Sequence, residues 1–416
     1  MKKLFILILL CLSFYNLNAQ ETKNRYDYIT IKIAVIGPGN ELYFWWGHFG
    51  LIIEDKLTGT SRFYDYGVFS FEKENFFTNF AMGRLWFSSV VSSTNNVISH
   101  YIADNRDVTI YTLNLTSDQK AEIVRVAERN ITPEYKDYLY NHFSDNCVTR
   151  ITNLIDDAVD GQFYEMANNT PGRFTLRQHV RRHSYFDPFG DWLINFLMGQ
   201  GIDTLTTVKQ EMFLPSEAGI QINNFSYIDK TGQKQPLVSN VEIIYTSKDR
   251  PPVLPSPREN WPAGLILGIS IALIFTVFIF LKNIKTVNRL FGLSIGIFGL
   301  FFGFMGTAAF FMSLFTDHDY TWHNLNVIFV NPLFFAAVPL GIIIAFTKKE
   351  QKRLLCEKLL KIFMTCILLG GILTMVLKLL PMFYQDNKVT LALLLPIAFV
   401  LSYVPDVIKA AFKRKN

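Results

Sequence analysis

Cysteine is scarce in this chain, with four residues in 416. Only Cys147 falls in the mixed globular part, residues 20–260. Cys356 and Cys366 lie in the apolar second half, and Cys11 sits inside a leading apolar run. This scarcity excludes a disulfide framework and a cysteine-rich metal site. A nucleic-acid surface is excluded as well: the formal net charge is only +5, and lysine and arginine gather beside apolar runs. There is no internal repeat and no low-complexity tract.

Apolar residues, by contrast, are plentiful. They make up 50% of the chain, with 38 phenylalanines, and the excess is uneven. Lys2 and Lys3, the apolar run Leu4 to Leu12 and the small residue Ala19 read as a signal peptide over residues 1–19, too short for a span. Five apolar segments follow residue 262: 263–281, 290–315, 326–346, 359–380 and 389–408. Each is long enough to cross a hydrocarbon core of roughly 30 Å. Pro332 and Pro339 interrupt the third, Pro396 and Pro405 the fifth.

The loops orient these spans. Lys282, Lys285 and Arg289 mark the first loop, Lys348, Lys349, Lys352 and Arg353 the third, and Lys409, Lys413, Arg414 and Lys415 the tail, residues 409–416. The second loop carries Asp317 and Asp319 without lysine or arginine, and the fourth has only Lys388. Basic loops therefore alternate, which places the tail in the cytoplasm and the N-terminal domain outside. The expectation is a multi-pass protein of a bacterial inner (cytoplasmic) membrane, its first domain in the periplasm. A proline-rich stretch, residues 248–262, reads as a stiff tether joining that domain, residues 20–247, to the membrane.

The exported domain reads as α+β. Ile29–Ile36 and Val108–Leu113 have strand patterns, and segments 47–54 and 62–67 suggest a hairpin around a turn at 55–60. Ser117 opens a helix to about Asn130, and residues 148–159 repeat apolar positions at helical spacing.

Cys147 follows Ser144-Asp145-Asn146, residue types that cap helices. A thiol in a first helical turn is favoured as thiolate by the helix dipole. The plainer reading is a small buried hydrophobe. Of the histidines His48, His100, His142, His179 and His183, His48 stands out, lying in a strand between Gly47 and Gly50. It could act as a general base or sit as a core histidine. If the hairpin turns at 56–59, residue 48 pairs near 67 and Asp65 becomes its diagonal neighbour. A one-residue slip would turn Asp65 away.

The segments Trp46-Gly47-His48-Phe49-Gly50-Leu51 and Asp145-Asn146-Cys147-Val148-Thr149-Arg150 resemble the Lnb N-terminal periplasmic domain family. The likeness extends through Arg173 to Arg177, Asp191-Trp192-Leu193 and Phe213-Leu214-Pro215, and into the membrane half at His323-Asn324. It implies a lipoprotein N-acyltransferase working through Cys147 and His48. The order of histidine before cysteine is similar to circularly permuted papain-like and NlpC/P60-like enzymes. His142 departs from the family pattern and is expected to support the site rather than serve as base.

On that resemblance, Cys147 takes an acyl chain from a phospholipid as a thioester and passes it to the α-amine of a diacylated lipoprotein, with His48 as base and Asp65 orienting it. Arg150, Arg173 and Arg177 are candidates for phosphate, and Asn146, beside the thiol, for substrate. His323 and Asn324 belong to an outer loop expected to form a polar lip where membrane lipids meet the domain. The aromatic segment Tyr185 to Leu197 reads as a buried helix, or as one dipping into the membrane interface. The two histidines and two aspartates at 317–323 lack tight ligand spacing, so neither a metal nor any other cofactor is expected. The alternatives are a thiol hydrolase of cell-wall peptides, against which five spans weigh, and a non-enzymatic envelope scaffold.

Overall fold

The computed structural model describes residues 24–71 and 74–413, with side chains to Val404; the signal segment 1–19 and the last residues of the basic tail lie outside them. Strand propensity and alternation produce a seven-stranded antiparallel sheet. Its strands are β1 (Ile29–Ile36), β2 (His48–Asp55), β3 (Thr60–Val68), β4 (Trp86–Ser93), β5 (Val108–Leu113), β6 (Asp137–Leu139) and β11 (Val238–Tyr245), in the order β11-β5-β1-β2-β3-β4-β6. Two small antiparallel pairs complete the β structure: β7 (Pro171–Thr175) with β8 (Leu205–Thr207), and β9 (Ser226–Ile228) with β10 (Lys234–Pro236).

The helices of this domain are α1 (Phe76–Ala81), α2 (Thr94–Ala103), α3 (Ser117–Asn130), α4 (Cys147–Ala158), α5 (Gln162–Asn169), α6 (Leu176–Ser184), α7 (Pro188–Leu197), α8 (Val208–Glu211) and α9 (Pro215–Asn224). Alternation along the strands splits the core. Ile31, Ile33, Phe49, Leu51, Tyr64 and Tyr66 pack with Ile151, Leu154 and Ile155 of α4. Ala34, Ile36, Ile52 and Phe63 pack on the other side with Tyr101 of α2. Period-two strands over period-3.6 helices give the α+β fold that the pattern implied.

Beyond the domain come α10 (Trp261–Phe280), α11 (Lys285–Phe315), α12 (Ala337–Phe346), α13 (Glu350–Leu377) and α14 (Lys388–Lys413). Among the described residues, four segments are long and apolar enough to cross a membrane: α10, α11, Leu325–Phe346 and α13. α14 packs along α10 and α13 as the fifth member, apolar over Lys388–Val404. The third span is not one helix. Short 3₁₀ turns at Leu325–Ile328 and Pro332–Ala336 precede α12. Proline lacks the amide that a continuous α-helix would need.

The stretch expected to be a stiff tether is also bonded to the domain. Leu254 exchanges hydrogen bonds with Arg182, through its amide at 3.1 Å and its carbonyl at 2.6 Å, and the Tyr185 hydroxyl donates to Pro252 O at 3.0 Å. The aromatic segment resolves as α7, whose Trp192 and Phe196 join the core of the membrane bundle. Trp192 Nε1 donates to Thr390 Oγ1 at 3.1 Å. Beside it, Arg181 pairs with Asp386 at 2.5 Å, both side chains under 10% exposed. The exported domain is thus seated on the bundle.

Removing one partner of a buried ion pair leaves the other charge without compensation. Arg181→Ala is therefore expected to lower unfolding stability by about 3 kcal/mol, read as a reduced melting temperature of the purified protein in detergent. Arg181→Ala/Asp386→Ala is expected to recover part of that loss. A single variant as stable as the parent would contradict the role of this pair in the docking.

Candidate active site

β2 begins at His48 and β3 ends at Val68, so residues 48 and 65 stand at one end of the sheet. Gly50 pairs with Asp65, which makes Asp65 the diagonal neighbour of His48. His48 Nε2 lies 2.8 Å from Asp65 Oδ1. The Tyr101 ring from α2 sits 6.1 Å from the imidazole, centroid to centroid.

Cys147 arrives from the other face. α4 packs across β2 and β3, and Cys147, 7% exposed, belongs to the core on that side. The two faces meet at Gly67, where β3 shifts register between Tyr66 and Val68. A Cβ built on Gly67 would stand 3.5 Å from His48 Cε1 and 3.6 Å from Cys147 Cβ. The gap between imidazole and thiol is therefore kept open by a residue with no side chain. Its φ of +146° is one that residues with a Cβ rarely adopt. With Nε2 committed to Asp65, Nδ1 is the nitrogen outside that pair.

Burial of the imidazole disfavours its charged form, but the Asp65 carboxylate together with Tyr101 and Cys147 outweighs this, and its pKa lies well above the ordinary histidine value. Negative charge on Cys147 pushes in the same direction. His48 is therefore equipped to hold a proton and to return it. His142 is the opposite case. Burial, with a smaller repulsion from His318, brings it down to about 4, so it is neutral at neutral pH.

The start of α4 is held firmly. Asn146 Oδ1 accepts from the amides of Val148 at 2.9 Å and Thr149 at 3.0 Å, and Thr149 Oγ1 accepts from the Asn146 amide at 2.7 Å. Asn146 Nδ2 donates to the carbonyls of His142 and Phe213 at 2.8 and 2.9 Å. Asn146, expected to meet substrate, is fully occupied as a helix cap and as a clasp for the preceding loop.

The expected phosphate ligands are mostly committed as well. Arg150 makes a two-pronged pair with Asp145, both contacts 2.8 Å, and lies over the Tyr138 ring at 3.6 Å. Arg177 has no exposed surface; it is bonded to Asp203 and to the carbonyls of Asn195, Met198 and Gly199. Its fork is filled by acceptors of the fold. Arg173, about half exposed, pairs with Glu217 at 2.5 Å and keeps surface toward solvent. Asn324 donates to the carbonyls of Phe196 and Leu197, and its own oxygen accepts from Gln385, which makes it part of the domain–bundle junction. His323 is exposed on the outer loop. That loop does meet the segment before Cys147, but through other residues: Asn141 donates to both Asp319 oxygens at 3.1 and 3.0 Å, and Tyr320 packs on His142 at 5.3 Å.

The remaining histidines are placed elsewhere. His179 is locked between Glu211 and Arg182 at 2.9 Å each, His183 bonds the Trp45 carbonyl, and His100 is exposed. Sequence reasoning missed Gly67, Tyr101 and the Tyr138/Tyr140 pair. A glycine ending a strand is a bulge signal that pointed to the first. The tyrosines come from elements whose pairing no local pattern reveals.

Residues 17–182 match the family model of the Lnb N-terminal periplasmic domain, a stretch that includes His48, Asp65 and Cys147 and ends before α7 and the membrane helices. Neither the curated proteins nor the solved structures include a match.

Because Asp65 contributes most to raising His48, Asp65→Asn is expected to lower the His48 pKa, followed by histidine NMR across a pH series. The sign follows from the raised value. The ion pair contributes stability in full below the ordinary histidine pKa near 6.5, and the contribution is lost as pH rises through the higher folded value. An unchanged titration in the variant would remove Asp65 from its assigned role.

Proposed function

We propose that this protein is a cysteine-dependent acyltransferase of the bacterial inner membrane, moving a fatty acyl chain from a phospholipid to the α-amine of the lipidated N-terminal cysteine of a lipoprotein. The observation that carries the reading is the His48–Asp65 pair facing Cys147 across Gly67, in a domain seated on a membrane bundle. The family match over residues 17–182 supports it.

In the first step the Cys147 proton already rests on His48, and the sulfur, as thiolate, attacks the ester carbonyl of the phospholipid. The ester C–O bond breaks, and His48 returns the proton to the departing glycerol oxygen. The products are a lysophospholipid and a thioester on Cys147. In the second step the lipoprotein amine attacks that thioester while His48 removes a proton from nitrogen. The C–S bond breaks, the amide forms and Cys147 is restored. A thioester suits this transfer because amines attack it more readily than an ester.

The Asn146 cap already uses the amides of Val148 and Thr149. An oxyanion would thus draw on the amide of Cys147 itself rather than on the whole first turn. Asp65 keeps the imidazole oriented and its proton available. No step requires a metal or an organic cofactor.

Cells lacking the protein are expected to lose the N-linked acyl chain of their lipoproteins, detected by mass spectrometry of lipoprotein N-termini. Cys147→Ser and His48→Gln are each expected to reduce transfer by about a thousandfold or more, with folding and membrane insertion intact. Asp65→Asn should cost less, since the base survives. Unchanged N-termini in a strain with no second such enzyme would end the acyltransferase reading, and altered cell-wall peptides in their place would favour the hydrolase.

A further inference from the structure

The segment after Gly67 leads out of the site. Phe69 packs on Phe71 at 5.2 Å and on Phe76 of α1 at 6.2 Å, and Phe76 stacks on Phe80 at 5.9 Å. On its inner side Phe69 meets Phe87 at 5.1 Å, and Phe87 stacks on Tyr140 at 4.2 Å. Tyr140 in turn packs on His142 at 5.4 Å, and the His142 carbonyl is held by Asn146, the residue before Cys147. One train of rings therefore runs from the segment that leads into Cys147 to the surface. At that surface Phe77 is 74% exposed, Phe71 56% and Phe80 53%. Several large aromatic rings side by side in water are costly unless something apolar covers them.

The position of this patch identifies what covers it. α1 is fastened to the outer loop between α11 and the third span. Asp317 N donates to Met82 O at 2.8 Å, His318 Nε2 bonds Phe80 O at 3.0 Å, and Arg84 pairs with Asp317 at 2.9 Å. The approach is so close that a Cβ on Gly83, at φ +81°, would fall 2.5 Å from His318 N. Immediately before that loop, α11 ends in Phe311, Leu314 and Phe315, all exposed. α1 and its exposed rings are thus fastened to the loop that directly follows the exposed apolar end of a helix long enough to span a membrane.

We propose that α1 and Phe71 lie in the outer leaflet of the membrane, and that the ring train is the route by which an acyl chain of a membrane lipid leaves the bilayer and reaches Cys147. The occupant is the hydrocarbon chain of a leaflet lipid, and the surface is an entrance for the acyl donor. Aromatic side chains collect at this depth because their rings tolerate the boundary between hydrocarbon and water. The route rests on the acyltransferase reading, whereas the membrane seat of α1 does not.

The test uses the full chain in vesicles of phosphatidylcholine with brominated acyl chains. Phe77→Trp is expected to show quenching beyond that of the native tryptophans. Leu57→Trp, on the turn at the far end of the β2–β3 hairpin, about 26 Å of strand away, is expected to show none. Phe77→Asp is expected to slow acyl transfer from vesicle phospholipid by about tenfold or more. The rate at which iodoacetamide alkylates Cys147, read by peptide mass spectrometry, should stay at the parent value. An unquenched Trp at 77 would overturn the membrane seat and the route together. A quenched Trp at 77 with parental transfer by Phe77→Asp would overturn the route. If the parent protein transfers no acyl chain at all, the proposed function falls and takes the route with it, and the quenching comparison still decides the seat.

Discussion

A histidine on a strand and a cysteine on a helix packed against the same sheet face a geometric obstacle: the sheet lies between them. His48 and Asp65 belong to the face shared with Tyr101, and Cys147 to the core under α4. They can meet only where a strand ends and its backbone leaves a gap. Gly67 supplies that gap, at a register shift and at a φ that favours glycine. The hairpin register sets Asp65 beside His48, the Asn146 cap fixes the first turn of α4, and Gly67 lets the two assemblies approach. Each of these would be idle without the other two.

The second constraint is the seat on the membrane. A surface of polar and charged groups is buried between the domain and the bundle, with Arg181 on Asp386 and with Asn324, Gln385 and Asn387 tied to Asn326, Phe196 and Met198. Each of these buried bonds requires a particular partner in a particular place, which makes the docking geometry specific rather than merely adhesive. Trp192 and Phe196 add apolar contact at the same junction. The result fixes the end of the sheet carrying His48 near the outer loop of the bundle.

Much of this was legible in the residues. The strands at Ile29–Ile36 and Val108–Leu113 and the helix at Ser117–Asn130 follow from periodicity and capping, with the bounds found in the structure. The diagonal placement of Asp65 followed from counting back across the hairpin turn. The arginines were harder to place. A guanidinium near a cysteine motif suggests phosphate, but Arg150 and Arg177 spend their donors on Asp145 and Asp203, and those pairs are invisible until the chain folds. Arg181–Asp386 spans about half the sequence and carries no local signature. The tether failed to read as bonded because proline content reports stiffness and says nothing of neighbours. Where local chemistry decides, the sequence was informative. Where two distant segments must meet, it was not.

The central claim is that Cys147 carries the acyl chain. The most direct measurement is intact-protein mass spectrometry of the purified protein incubated with donor phospholipid and no acceptor. The account predicts a mass increase of one fatty acyl chain, mapped to Cys147, released by neutral hydroxylamine and absent from Cys147→Ser. A parent protein that transfers acyl chains to lipoprotein without ever bearing one, or a serine variant that transfers at the parental rate, would contradict it.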